Sequence, residues 1–141
     1  MKRFKSQKGA ALIEAAVTVP IILLISVGIF EFGRAYQTQQ VLTNAAREGA
    51  RLAVIEGTTD AEVRTRVRDY LKGGGLKDLS DSQIPISRTV ALTGTTTASS
   101  VEIDYPFEFM VLNPVVRLVA PADTTTGGPI TMKASTLMRN E

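Results

Sequence analysis

Residues 10–30 read AALIEAAVTVPIILLISVGIF, with Glu14 the sole ionisable group and Thr18, Pro20 and Ser26 the only other interruptions. A helix rises ~1.5 Å per residue, so a run of this length matches the ~30 Å hydrocarbon core of a bilayer. Four cations, Lys2, Arg3, Lys5 and Lys8, precede the run, whereas Glu31 and Arg34 follow it closely. Lysine and arginine collect on the cytoplasmic side of a span. The expected arrangement is therefore a basic cytoplasmic leader over residues 1–9, a membrane helix over 10–31, and the rest of the chain displayed beyond the bilayer. A cleaved secretory signal is the alternative, and it fits less well. Its apolar region is only ~7–15 residues long and ends at a small-x-small site, and here the triplet Gly33-Arg34-Ala35 has a charge at its centre.

Composition narrows the chemistry. The 141 residues leave room for one small domain, since domains need on the order of 100 residues to bury a core. A sequence pI of about 9.1 points to nucleic acid until the charges are located. Without the four leader cations the net charge of +2 becomes −2, so the body lacks the cation excess that drives counterion release. Cysteine and histidine are both absent. Disulfides and thiolate metal sites are thereby excluded, and with histidine go the commonest general base near neutral pH and the commonest metal ligand. We expect no enzyme, no catalytic residue, no metal or other cofactor, no small-molecule substrate and no nucleic-acid partner.

Glu14 is the most informative side chain. A carboxylate in the apolar phase costs roughly 2.5–3.5 kcal/mol even on the lenient insertion scale, so something must compensate it. It lies one turn into the helix, where interfacial water and the dipole of the helix N-terminus both favour an anion. Equally, it could pair with a cation supplied by another chain or by a newly made α-amino group.

Lys8-Gly9, followed by Ala10-Ala11-Leu12-Ile13-Glu14 and an apolar run containing Pro20, resembles the leader and processing site of type IV prepilins. Together with Phe30-Glu31-Phe32-Gly33-Arg34-Ala35 and the stretch Leu42 to Arg51, it resembles the TadE-like family of tight-adherence (Tad) pilus pseudopilins, strongly over residues 8–54. The resemblance implies that a membrane aspartyl peptidase cuts after Gly9, that Ala10 becomes the new N-terminus, and that Glu14 becomes the fifth residue of the mature chain. Ala15 departs from the pattern, standing where pilins of this system often carry an aromatic residue. The implied partners are other pilin or pseudopilin subunits, Tad inner-membrane assembly proteins, the prepilin peptidase and the lipid bilayer. The implied location is the bacterial inner membrane, single-pass, with a periplasmic or extracellular C-terminal part.

Phe32 to Val54 contains no proline and keeps a helical pattern, so the helix is expected to continue as a stalk over 32–56. Ala45, Gly49 and Ala53 recur every four residues, as do Ala46 and Ala50, giving a smooth seam that admits a close neighbour. The favoured neighbour is the protein's own sheet. Around Ala11, Ala15, Pro20 and Gly28 no sheet is available, and partner helices are expected there. The spacings Glu31 to Arg34 and Glu48 to Arg51 each suit an ion pair.

Thr59 with Glu62 forms a capping box, and Val63, Val67, Tyr70 and Leu71 share one face until Gly73-Gly74-Gly75 ends the turn. Arg64, Arg66 and Arg68 read as a solvated face, with Glu62 to Arg66 a supportive spacing; an anion or acidic-partner site is the alternative. The glycine triplet lacks phosphate-loop spacing. Alternation over Ile84 to Leu92, a turn over Gly94 to Ser100 and resumed alternation over Val101 to Tyr105 read as a hairpin, in which Glu102 and Asp104 share a wet face. Pro106 is expected to bend or edge the second strand. Val115 to Ala120 would pack on the sheet as a short helix or loop, and Ile130 to Met138 would form a third strand.

The fold expected is α+β: a long N-terminal transmembrane and stalk helix packed on a small antiparallel sheet with one further short helix, residues 57–141 forming the extracytoplasmic domain. The function expected is that of a minor pilin-like subunit of a Tad-type pilus, processed after Gly9 and acting in assembly or secretion. An unprocessed single-pass anchor presenting a small sensing or adhesion domain is the competing reading.

Overall fold

The computed structural model describes residues 3–91, 97–119 and 128–140, with side chains described over 9–91, 97–117 and 128–140. Helix α1 runs Arg3–Ala53, α2 runs Asp60–Gly73, and a single 3-10 turn occupies Asp81–Gln83. Strands β1 (Ile86–Ala91) and β2 (Thr97–Phe107) follow, then α3 (Leu112–Val119) and β3 (Ile130–Arg139). The fold is α+β, a long apolar N-terminal helix with a small antiparallel sheet and short helices. Among the described residues α2 is the expected short helix, α3 takes the helical form of the segment read as a short helix or loop, and the 3-10 turn is additional.

The chain divides into two compact units: Met1–Gly33 with Phe109–Gly127, and Arg34–Glu108 with Gly128–Glu141. In the second, the three strands lie in the order β1-β2-β3, both pairings antiparallel. Alternation in β2 buries Val101, Ile103, Tyr105 and Phe107 while Glu102 and Pro106 stay exposed, as a period of two requires. Asp104 is half-buried on the wet side and takes Lys133 as a cross-strand ion pair at 3.2 Å. β2 does not break at Pro106 but continues to Phe107. The pairing with β1 reaches only Val101, so at Pro106 the strand is an edge on that side, where a missing N–H is tolerated. β2 also begins earlier than expected, at Thr97, inside the stretch read as a turn; the rest of that turn, 94–96, and Leu92 at the end of the expected first strand lie outside the described residues.

The part of α1 in this unit packs its small-residue seam on the sheet and on α2. Ala45, Ala46, Gly49 and Ala50 are fully buried and Ala53 nearly so. A Cβ on Gly49 would sit 2.6 Å from Val67 Cγ2 and 3.2 Å from Val101 Cγ1, so the absent side chain is what lets helix, helix and strand meet there. Val63, Val67 and Leu71 fill the other side of this core. Tyr70, placed on the same face by the sequence pattern, is instead 40% exposed. Ile84, expected to open the first strand, is a fully buried residue capping the 3-10 turn.

The capping box forms as expected, with Thr59 N–H donating to Glu62 Oε2 at 2.7 Å and Glu62 N–H to Thr59 Oγ1 at 3.3 Å. Because Glu62 is committed there, Arg66 reaches Glu48 on α1 instead, at 2.8 Å. Arg64 and Arg68 are not simply solvated either. Their Nε atoms donate to the carbonyls of Ile84 (3.3 Å) and Leu79 (2.8 Å), and both guanidinium groups face Asp81. The arginine row reads as surface from sequence because its partners lie on a loop and on another helix. One further clasp closes the sheet: Asn140 donates from Nδ2 to Arg88 O at 2.9 Å and accepts from Ser99 Oγ at 2.8 Å.

Candidate functional site

The first unit contains the segment on which function turns. From Ala10 to Ser26 every side chain of α1 is exposed, including Leu12 at 71% and Leu24 at 60%. An apolar surface of this length, interrupted only by Glu14 and the hydroxyls of Thr18 and Ser26, is larger than the patches soluble monomers tolerate. The helix is long and apolar enough to cross a membrane, and none of its apolar window is buried within the protein. Pro20 sits inside it without ending it, although its ring nitrogen cannot donate to the carbonyl of Ala16. Such interruptions are tolerated in membrane helices. Ser26 turns its hydroxyl inward on the helix, donating to Ile22 O at 2.8 Å, so it presents no unsatisfied donor to an apolar surrounding.

Each residue singled out from the sequence has a definite place. Gly9 and Ala10 lie within the helix, Gly9 half-buried and Ala10 exposed. Glu14 is exposed with Ala11 and Ala15 on the same stretch. A Cβ on Gly28 would meet nothing within 4 Å, so this glycine leaves a shallow open place on the helix surface. Ala45, Gly49 and Ala53 belong elsewhere, to the core of the second unit, where all three are buried and Gly49 faces Val63, Val67 and Val101.

Glu31 was read from the sequence only as an ion-pair candidate for Arg34. It is fully buried and accepts the backbone N–H of Val111 at 2.5 Å. Beside it Phe32 meets Phe109 edge-on, with ring centroids 6.2 Å apart and planes at 70°, an arrangement that aromatic quadrupoles favour. Arg34 lies in the second unit, donating to Glu108 O and standing over the Phe107 ring at 4.6 Å. The signal available in the sequence was the position of Glu31 at the end of an apolar run. Its acceptor role depends on a segment about 80 residues away, which no local pattern reveals.

Several charged groups outside the apolar run form ion pairs within the second unit. Glu48 takes both Arg51 (3.2 Å) and Arg66 (2.8 Å), and hydrogen bonds from these two guanidinium groups hold its carboxyl down to about 2 from the usual 4.5. Lys72, hydrogen-bonded to Asp78, lowers that carboxyl too. The Arg66–Glu48 and Lys72–Asp78 pairs tie α2 to its surroundings.

Residues 9–51 match the family described as TadE-like protein. No curated protein and no solved structure gives a match. The matched stretch starts at Gly9, takes in Glu14 and the bare apolar helix, and stops within the seam at Arg51. That stretch is similar to the TadE-like family and includes the helix that is long and apolar enough to cross a membrane.

Proposed function

We propose that this chain is a minor pilin-like subunit, a pseudopilin, of a Tad-type pilus, held in the bacterial inner membrane with its N-terminus in the cytoplasm. A prepilin peptidase cuts it after Gly9, and the mature subunit takes part in pilus assembly or secretion. The observation that carries this reading is the helix from Gly9 onward: it matches the TadE-like family, is bare and apolar, and has one carboxylate five residues into the mature chain.

The mechanism follows from solvation. An apolar helix surface leaves lipid only by packing on other apolar helices, so association is decided by close fit and by polar pairs rather than by the hydrophobic effect. Ala11, Ala15 and Gly28 offer the small-residue surface on which a neighbouring subunit or inner-membrane assembly protein fits. Cutting before Ala10 creates an α-amino cation, and Glu14 of an adjacent subunit pairs with it, offsetting the cost of a carboxylate in the membrane and setting the register of insertion.

Intact mass of the membrane-extracted chain tests the reading. A polypeptide beginning at Ala10 supports it, and Gly9→Leu should then restore a chain beginning at Met1. An unsubstituted chain that begins at Met1 in cells with an active peptidase supports the unprocessed anchor instead.

A further inference from the structure

Within the first unit the chain comes back to α1 at the level where the apolar run ends. Glu31 accepts the Val111 N–H and Phe32 packs on Phe109, so residues 109–111 stand beside residues 31 and 32. Those positions lie ~30 Å along the helix from Ala10, at the far boundary of a hydrocarbon core. α3 starts at once, the Val115 N–H donating to Val111 O at 3.2 Å. Exposed apolar side chains stand at its start and on it: Met110, 63% exposed, and Val111, 41%, just before the helix, and Val115, 44%, within it. Val111 and Val115 share a helix face, as residues four apart do. Leu112 and Val116 are half-buried. Residues 109–119 contain no acidic group, and the single charged side chain is the cation Arg117.

We infer that the segment 109–119 is a second membrane contact, with the exposed face of α3 lying in the bilayer interface where α1 leaves the hydrocarbon core. The inference rests on reading residues 10–30 as the membrane span. Lipid is the occupant because the patch continues the apolar surface of that span through Ile29 and Phe30, 71% and 61% exposed in the same unit. Two contacts hold it at the depth of the headgroup boundary. A short helix with an apolar side and a cation, and without carboxylates, has the composition of interfacial segments. Met110, Val111 and Val115 enter the part of the acyl chains nearest the headgroups. The carboxylate of Glu31 then serves as the hook that fixes this depth, since the Val111 N–H it accepts would otherwise be left without that partner at the edge of the lipid.

The absence of cysteine from the chain permits single-site labelling. Met110→Cys, Val115→Cys, Leu23→Cys and Ser82→Cys are each labelled with a nitrobenzoxadiazole fluorophore, checked for an unchanged melting midpoint, and placed in nanodiscs of phosphatidylethanolamine and phosphatidylglycerol. The expected result is that labels at 110 and 115 lose most of their fluorescence to lipids carrying a nitroxide near the headgroup and little to aqueous iodide. The Leu23 label loses its signal to a nitroxide deep in the acyl chain, and the Ser82 label responds to iodide alone. Labels at 110 and 115 that respond to iodide as Ser82 does overturn the inference. So do labels that are shielded from iodide yet blind to lipid quenchers, since a protein then covers the patch. In both cases quenching at Leu23 leaves the span intact. Failure of deep quenching at Leu23 overturns the span itself and the inference with it.

Discussion

Gly49 and Glu48 are neighbours in sequence with opposite kinds of necessity. Gly49 is required by space: a methyl group there would overlap Val67 Cγ2, and valine in a helix has little rotamer freedom with which to yield. Overpacking costs ~1–3 kcal/mol and alanine regains about 1 kcal/mol of helix propensity over glycine, so Gly49→Ala should destabilise the fold by about 1 kcal/mol net. Gly49→Leu should cost more, and thermal unfolding of the detergent-solubilised chain measures both. Glu48 is required by charge. Its folded-state acidity, about 2 against an ordinary 4.5, means that its ion pairs stabilise the fold above pH 4.5 and that this contribution fades as pH falls toward 2. Glu48→Gln should lower the melting midpoint at neutral pH, by an amount equivalent to ~1 kcal/mol or less for partly exposed pairs, and should flatten the decline over that acid window. An acid slope remains in the variant, because Glu62 and Asp78 are held low as well and lose their stabilising contribution in the same direction.

At the scale of elements, α2 shows how much of a helix local chemistry determines. Its start is set by the reciprocal Thr59 and Glu62 bonds, and Thr59→Ala should cost ~1 kcal/mol, as loss of a side-chain N-cap usually does. Rescue by Thr59→Ser, read in the same melting experiment, separates capping from packing. Its end is set by Gly74, which caps the helix and approaches Val41 so closely that a Cβ would lie 2.5 Å from Val41 Cγ1. Gly75 then turns away with φ +76°, a conformation glycine adopts without penalty. What the local pattern does not determine is which way α2 faces. The arginines that look solvated on a helical wheel reach Glu48, Ile84, Leu79 and Asp81, and Tyr70 is turned out of the core it was expected to enter. β2 carries the same lesson at Pro106, because whether a proline breaks a strand depends on how far the neighbouring strand reaches.

At the scale of the whole molecule the proposed assembly role places one residue under test. Glu14→Ala should leave membrane insertion intact or slightly improve it, since a carboxylate is removed from the apolar span, and should reduce cross-linking to neighbouring subunits in vivo. Wild-type yields of the cross-linked species would refute the pairing with a neighbour's α-amino group. Much of this chain is written locally. The membrane run is long, apolar and flanked asymmetrically by charge, the capping box is a four-residue pattern, and strands alternate with a period of two, so each follows from physics acting over one or two turns of chain. The small-residue seam was legible as a seam, but only packing decides that it is spent on the protein's own α2 and β2 rather than left for partners. Equally, the burial of Glu31 beneath Val111 and the grouping of residues 109–119 with the apolar helix rather than with the sheet they interrupt depend on chain closure over long separations. Short-range patterning is enough to say which stretches are helix, strand and span. The partner of a buried carboxylate is settled only when distant segments compete for the same space and the same hydrogen-bonding groups.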